Sequence, residues 1–138
     1  MYQVLFSSRG GNTRKLADAI AGELGIKAAD VKAASIDPAA GIIFLGSGCY
    51  GGKPGEAMMK LIGANDFSGR KVALFGTSAS GHGLEVQAMG DALKQKGANV
   101  LGKYNCTGQF LGIVRRGHPD KDDLGGARQF AREMAKLG

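Results

Sequence analysis

Short apolar runs alternate with helical periods along this chain, and the alternation constrains its fold more than any other feature. Residues 4–6, 42–45, 72–75 and the segment around 100–101 are continuous apolar runs, typical of strands buried on both faces. A weaker, partly polar region at 28–36 fits an edge strand. The periods between these runs predict amphipathic helices. Together they predict a parallel sheet with helices on both faces.

Glycine and proline mark the ends of the predicted helices. One apolar period stops at Gly25, and a second stops at Gly97, where a left-handed cap is expected. A shorter helix is expected after Pro54, and the last helix is expected after Pro119 with acids in its first turn. The connection between the second and third predicted strands has no assigned helix.

Length and composition predict one domain spanning residues 1–138. With 43% apolar residues, a chain of 138 residues can form a core of ordinary size. It has no apolar stretch long enough for a membrane span and no signal-peptide pattern, which predicts a cytoplasmic protein without membrane contact. Cys49 and Cys106 have no second ligand at metal spacing, so we expect two free thiols and no metal site.

The chain is basic, with a formal net charge of +6, but its basic residues are scattered among acids. Arg115 and Arg116 form the densest pair. Because no Lys/Arg run is interleaved with aromatic residues, we do not expect a nucleic-acid partner. A surface of this charge favours an acidic protein partner or an anionic small ligand.

The loop after the first predicted strand has the composition of an anion site. Its residues are Ser8, Arg9, Gly10, Gly11, Asn12 and Thr13. The glycines let backbone N–H groups approach a phosphate, the polar side chains can donate hydrogen bonds, and the arginine adds charge. The same residues also fit a plain strand-to-helix turn capped by Asn or Thr. The loop lacks the spacing and the lysine of a nucleotide P-loop.

Two further loops are expected at the same edge of the sheet. The second contains Ser47, Gly48, Cys49, Tyr50 and Gly51, and the third contains Thr77, Ser78, Ala79, Ser80, Gly81 and His82. Neither has a nucleophile, base and orienting group at recognisable spacing, so we assign no catalytic side chain. Both can hold a flat ring, since a tyrosine can stack on it and exposed backbone groups can pair with its edges. Each of three residues also has a purely structural interpretation. Tyr50 could only cover the end of the sheet, Cys49 could be a small packed side chain, and His82 could be a solvated loop residue.

Residues 46–51 also match the dinucleotide fingerprint G-x-G-x-x-G in spelling. Their context is wrong, because they follow an internal strand and Pro54 delays the next helix. In addition, no acid ends the next strand, where one would bind a ribose. We therefore do not predict a dinucleotide site.

The three loops together resemble those of the flavodoxins and flavodoxin-like flavoproteins. The family's phosphate motif, S/T-x-T/S-G-N-T, matches at Ser8, Gly11, Asn12 and Thr13, whereas Gly10 replaces a hydroxyl residue. The second and third loops resemble those that cover the two faces of the FMN ring. The resemblance implies a flavodoxin-like α/β fold, a doubly wound five-stranded parallel sheet in the order 2-1-3-4-5 with helices on both faces, and it implies FMN as the cofactor.

The resemblance also implies an electron carrier that shuttles electrons between redox partner proteins. From the basic charge we expect acidic partners, and we expect a monomer or a weak dimer. An FMN-dependent reductase that uses NAD(P)H, or that reduces a small pigment or quinone, stays open, as does a flavin-free interaction module. The third loop has no acid before Glu85, so we expect a flavin potential less negative than in acidic flavodoxins.

Overall fold

The computed structural model describes residues 1–78, 83–107 and 121–138, which form a sheet flanked by helices. The strands are β1 (Tyr2–Ser7), β2 (Ala29–Asp30), β3 (Ile42–Tyr50), β4 (Lys53–Pro54), β5 (Lys71–Ser78) and β6 (Asn99–Thr107). The helices are α1 (Asn12–Glu23), α2 (Glu56–Ala64), α3 (Leu84–Gln95) and α4 (Lys121–Ala135). Within these ranges, no helix has both the length and the apolarity that a membrane crossing requires.

Five of the strands pair in parallel, in the order β2-β1-β3-β5-β6. When these five are numbered alone, the order is the predicted 2-1-3-4-5. The short strand β4 was not predicted, and it pairs antiparallel with the end of β3. Strand order reverses between β1 and β3, and doubly wound sheets bind their ligands beyond the carboxyl ends of the strands at such a point.

Successive residues of each strand face opposite helical layers, which explains the continuous apolar runs. In β3, Ile42 and Phe44 pack against α1 and α4, whereas Ile43 and Leu45 pack against α2 and α3. All four side chains are buried. A strand covered on both faces has no solvent side, so an alternating polar pattern is absent.

The edge strand is shorter than predicted, because a side-chain hydrogen bond turns the chain away from β1. Of the residues predicted to form this edge strand, only the two of β2 pair with β1. The Asp30 carboxylate accepts the backbone N–H of Lys32 at 2.9 Å and forms a turn. Further along, the Gln3 side chain donates a hydrogen bond to the Ser35 carbonyl and accepts one from the Asp37 N–H. The connection from β2 to β3 consequently contains turns but no helix.

Helix ends follow the predicted punctuation. Gly25 and Gly97, each two residues after the last residue of α1 or α3, have φ values of 74° and 82°, which confirms both predicted helix ends. Helix α4 has two acids in its first turn, as expected. The chain before it, with Pro119 and the Arg115–Arg116 pair, lies outside the described residues.

Two strand glycines are required by close packing. A Cβ atom on Gly46 of β3 would overlap the ring of Phe75 on β5. A Cβ atom on Gly76 would lie 2.5 Å from a carboxyl oxygen of Glu85 and 2.9 Å from the Ser47 carbonyl oxygen. Because Gly46 lies inside a paired strand, it is not at the strand-to-helix turn that a dinucleotide fingerprint requires.

Candidate functional site

Two side-chain hydrogen bonds connect the three loops at the carboxyl ends of β1, β3 and β5. The first loop is residues 8–13, the second is 47–51 and the third is 77–82. The Tyr50 hydroxyl accepts the backbone N–H of Arg9 at 3.0 Å, which joins the second loop to the first. The hydroxyl oxygens of Thr13 and Thr77 lie 2.9 Å apart, which joins the third loop to the first. The described residues of three loops that are far apart in sequence therefore lie close together.

The first loop presents backbone N–H groups at the start of α1. Gly11 is the N-cap with a φ of 88°, no side chain caps the helix, and no acid stands in its first turn. A Cβ atom on Gly10 or Gly11 would meet nothing within 4 Å, so a ligand can approach the backbone closely. The Ser8 hydroxyl accepts the Gly11 N–H at 3.0 Å and fixes the loop, and Asn12 begins the helix. Uncapped first-turn N–H groups favour an anion.

Several hydroxyl groups predicted to face a ligand are buried among protein groups. Thr13 is 1% exposed and is bonded to Thr77. Ser47 is fully buried; its hydroxyl accepts the Gly55 N–H at 2.7 Å and donates to the Gly48 carbonyl at 2.8 Å. The observed contacts give these side chains a structural role, because they hold the loop backbones in place.

Tyr50 lies across the first loop. The guanidinium carbon of Arg9 is 4.1 Å from the centroid of its ring, within the range of a cation–π interaction. A Cβ atom on Gly48 would lie 2.6 Å from the Tyr50 hydroxyl oxygen, so the ring takes this position only beside a glycine. Gly51 and Gly52, with φ values of 62° and 81°, then turn the chain into β4. The aromatic residue predicted to stack on a ring thus contacts the predicted phosphate loop.

The described part of the third loop is Thr77 and Ser78 at the end of β5. Both residues are buried. The remaining predicted residues, Ala79, Ser80, Gly81 and His82, lie outside the described residues, and their roles remain predictions.

A buried carboxyl group that the sequence pattern did not predict lies beside the second and third loops. Glu85, in the first turn of α3, is fully buried. The Asn105 amide donates to its Oε1 atom, whereas Oε2 has no partner among the described residues. Burial raises the pKa of Glu85, against smaller lowering effects from its own N–H and from hydrogen bonds with Asn105 and Cys49. Its spacing of four residues before Met89, on the apolar face of α3, is the signal that could have indicated its burial.

The pKa of the Cys49 thiol depends in part on the charge of this carboxyl group. Its pKa is raised by burial first and by the negative charge of Glu85 second. Cys49 is partly exposed, whereas Cys106 is buried, and the structure shows neither of them in a disulfide. A raised pKa leaves little of the reactive thiolate near neutral pH.

We expect Glu85→Gln to increase the alkylation rate of Cys49, because a neutral amide does not repel the thiolate. At about pH 8, iodoacetamide should modify the variant several-fold faster than the wild type. Mass spectrometry in a Cys106→Ser background follows the single remaining thiol. Equal rates in the two proteins would show that Glu85 carries no charge beside Cys49 at that pH.

The model of the flavodoxin domain family matches residues 3–115. The chain belongs to the flavodoxin domain family. Uncharacterized protein MJ0298 of Methanocaldococcus jannaschii is 29% identical to it, and the match covers 91% of each chain. This membership confirms the resemblance read from the loops, and it assigns the chain to the flavin-binding, electron-transferring kind of protein.

Solved structures share the fold of this flavodoxin-family chain. A flavodoxin from the domain Archaea superposes with a TM-score of 0.79 and 18% identity, covering 99% of this chain and 96% of the other. Oxidised Flavodoxin 1 from Bacillus cereus superposes with a TM-score of 0.78 and 24% identity, covering 99% and 98%. These similarities confirm the predicted doubly wound fold.

The first loop fits the phosphate of a flavin nucleotide. It combines open space over two glycines, an uncapped helix N-terminus and the exposed Arg9 side chain. The absence of a hydroxyl at Gly10 removes one possible donor, while the backbone N–H groups remain. The described residues are thus compatible with a phosphate at the start of α1.

Proposed function

We propose that this chain binds FMN non-covalently and carries electrons between redox partner proteins. The observation that carries the proposal is the glycine cradle, which Gly10 and Gly11 form at the start of α1. The first-turn N–H groups there have no side-chain cap, so they can bind an anion. Membership of the flavodoxin family supports the same cofactor. Tyr50 of the second loop and Thr77 at the start of the third contact the first loop beside this cradle, where the ring of the same cofactor needs support.

FMN, when bound, would supply the electron-accepting chemistry. The chain's own residues would bind and orient it. The first-turn N–H groups of α1 and the Arg9 side chain would hold the phosphate. Tyr50 would contact the ring, and the buried hydroxyl pair of Thr13 and Thr77 would keep the first and third loops at a fixed separation.

Titration of the purified protein with FMN tests the proposal. We expect a yellow complex with quenched flavin fluorescence that exchanges electrons with one-electron carriers. Steady oxidation of NAD(P)H without an added reductase would identify an FMN-dependent reductase instead. If the protein binds no flavin, a flavin-free interaction module is the function that remains.

The charge of the described surface supports acidic redox partners. Arg9 in the first loop, Arg14 in α1 and Lys53 in β4 are exposed near the site. The whole chain carries a formal net charge of +6. Opposite charges on a partner would steer docking and increase the association rate.

We expect electron transfer to an acidic carrier to slow as salt is added, since exposed charges are screened beyond about 8 Å at physiological ionic strength. Stopped-flow rates over a salt series measure the effect. Lys53→Gln should reduce the low-salt rate, whereas Lys136→Gln, after α4, should not. Rates indifferent to salt, together with ready transfer to a basic carrier, would contradict an acidic partner.

A further inference from the structure

Glu85 is a buried titratable group to which the proposed function assigns no role. Its side chain is fully buried, and its Oε2 atom has no partner among the described residues. Gly76 makes room for it, since any larger residue there would meet the carboxyl group. In the described part of the chain, one oxygen of this buried carboxyl group is unpaired, which costs free energy whenever the group is charged.

The position of Glu85 relates it to all three loops of the site. The charge of its carboxyl group raises the pKa of Cys49, the residue before Tyr50 in the second loop. The carboxyl group also packs on Gly76, the residue before Thr77, and Thr77 is bonded to Thr13 in the first loop. A change of charge at Glu85 is therefore felt at the site in which the flavin is proposed to bind.

The neighbouring elements supply little compensating charge. The Cys49 thiol on β3 faces Glu85, and β6 offers the uncharged Asn105 amide. Lys53 on β4 and Lys103 on β6 are exposed, and neither forms an ion pair with Glu85 among the described residues. The part of β5 against Glu85, around Gly76, has no ionisable group, and Asp91 of α3 is exposed. The backbone N–H of Glu85 and the N-terminal dipole of α3 are further favourable influences on a carboxylate.

We propose that Glu85 binds a proton at Oε2 when the flavin is reduced and releases it on reoxidation. This proposal rests on the proposed function, because it requires a flavin at the three loops. An electron from a one-electron donor adds one negative charge to the site, and a proton from water then binds Oε2 and restores the net charge. Passing the electron to an acceptor returns the proton to water. The driving force is the repulsion between a poorly solvated carboxylate and the electron beside it.

The proposal predicts a pH-dependent midpoint potential. Between the Glu85 pKa of the oxidised protein and the higher Glu85 pKa of the reduced protein, the potential should fall as pH rises. One pH unit is a tenfold change in proton activity, so the slope contributed by Glu85 reaches at most about 59 mV per pH unit for one electron. Glu85→Gln should match the wild type below this window, because an amide resembles the protonated acid. Above the window its potential should be less negative.

Spectroelectrochemistry from about pH 5 to pH 9 compares the FMN-loaded wild type with three variants. Glu85→Gln should lose the slope contributed by Glu85. Asn105→Leu, which removes a hydrogen bond that lowers the pKa of Glu85, should move the window to higher pH. Glu56→Gln removes an exposed first-turn acid of α2 and should keep the wild-type slope and window.

Infrared difference spectra provide a second readout that does not depend on electron transfer to a partner. Reduction of the wild type should produce the C=O band of a protonated carboxyl group, and the band should be absent in Glu85→Gln. Potentials that run parallel in these two proteins at every pH, without such a band, would overturn the role of Glu85 while FMN binding stands. Failure of every protein to bind FMN would overturn the proposed function and this proposal with it.

Discussion

Replacing Gly11 by Val is expected to weaken FMN binding about ten- to hundredfold and to leave riboflavin binding nearly unchanged. Gly11 has a φ of 88°, a conformation that β-branched residues adopt only with strain. The substitution would therefore displace the N–H groups at the start of α1. Riboflavin has no phosphate and therefore makes none of these hydrogen bonds. The ratio of the FMN and riboflavin dissociation constants thus measures the effect on phosphate binding alone. Fluorescence titration with each flavin measures both constants.

Gly25→Val provides the matched control for that substitution. Gly25 also has a positive φ, 74°, and an added Cβ atom there meets nothing within 4 Å, but it follows the opposite end of α1. The control should lose stability through the same backbone strain and keep the wild-type preference for FMN over riboflavin. Equal losses of both flavins in Gly11→Val would place the phosphate elsewhere.

Gly46→Ala is expected to destabilise the protein by about 3 kcal/mol or more, at the upper end of overpacking costs. The new methyl group would overlap the Phe75 ring between two central strands. Neither strand can move away easily, because both are paired on each side. Urea unfolding followed by circular dichroism measures the free energy of unfolding.

Two companion variants make this test specific. Gly125→Ala adds the same methyl group inside α4, where it meets nothing within 4 Å, and should stabilise the protein by about 0.5–1 kcal/mol. Phe75→Leu in the Gly46→Ala background should recover part of the loss, because the smaller side chain leaves room. If Gly46→Ala unfolds at the wild-type urea concentration, the two strands do not pack as described.

The fold could be predicted from the sequence where one physical cause dominated. Continuous apolar runs marked β1, β3 and β5, because strands covered on both faces tolerate no polar alternation. Gly97 marked the end of α3 through its left-handed conformation. The length of β2 could not be predicted, because the bond between the Asp30 carboxylate and Lys32 ends it. The turn into β4 likewise depends on Gly51 and Gly52, which the sequence presents only as loop residues.

The candidate site was predictable in its position and less so in the roles of its side chains. The strand-loop-helix context and the glycines located the first loop. The sequence could not show that the Thr13 hydroxyl bonds to Thr77, since that pairing depends on how two strand ends meet. The sequence pattern presents Glu85 only as the first acid after the third loop, whereas the structure buries its carboxyl group. Under the role proposed for Glu85, the flavin potential would also depend on pH.

For the proposed FMN complex, the contact between Tyr50 and Arg9 would add a conformational step to cofactor loading. The Arg9 N–H that donates to the Tyr50 hydroxyl is also a backbone donor of the proposed phosphate loop, and an N–H group serves one acceptor well at a time. When this bond is formed, the Tyr50 hydroxyl competes with the phosphate for the Arg9 N–H. The apparent affinity for FMN therefore equals the intrinsic affinity multiplied by the fraction of molecules in which the bond is open. At high FMN concentration the loading rate would then be limited by the motion of one tyrosine rather than by diffusion.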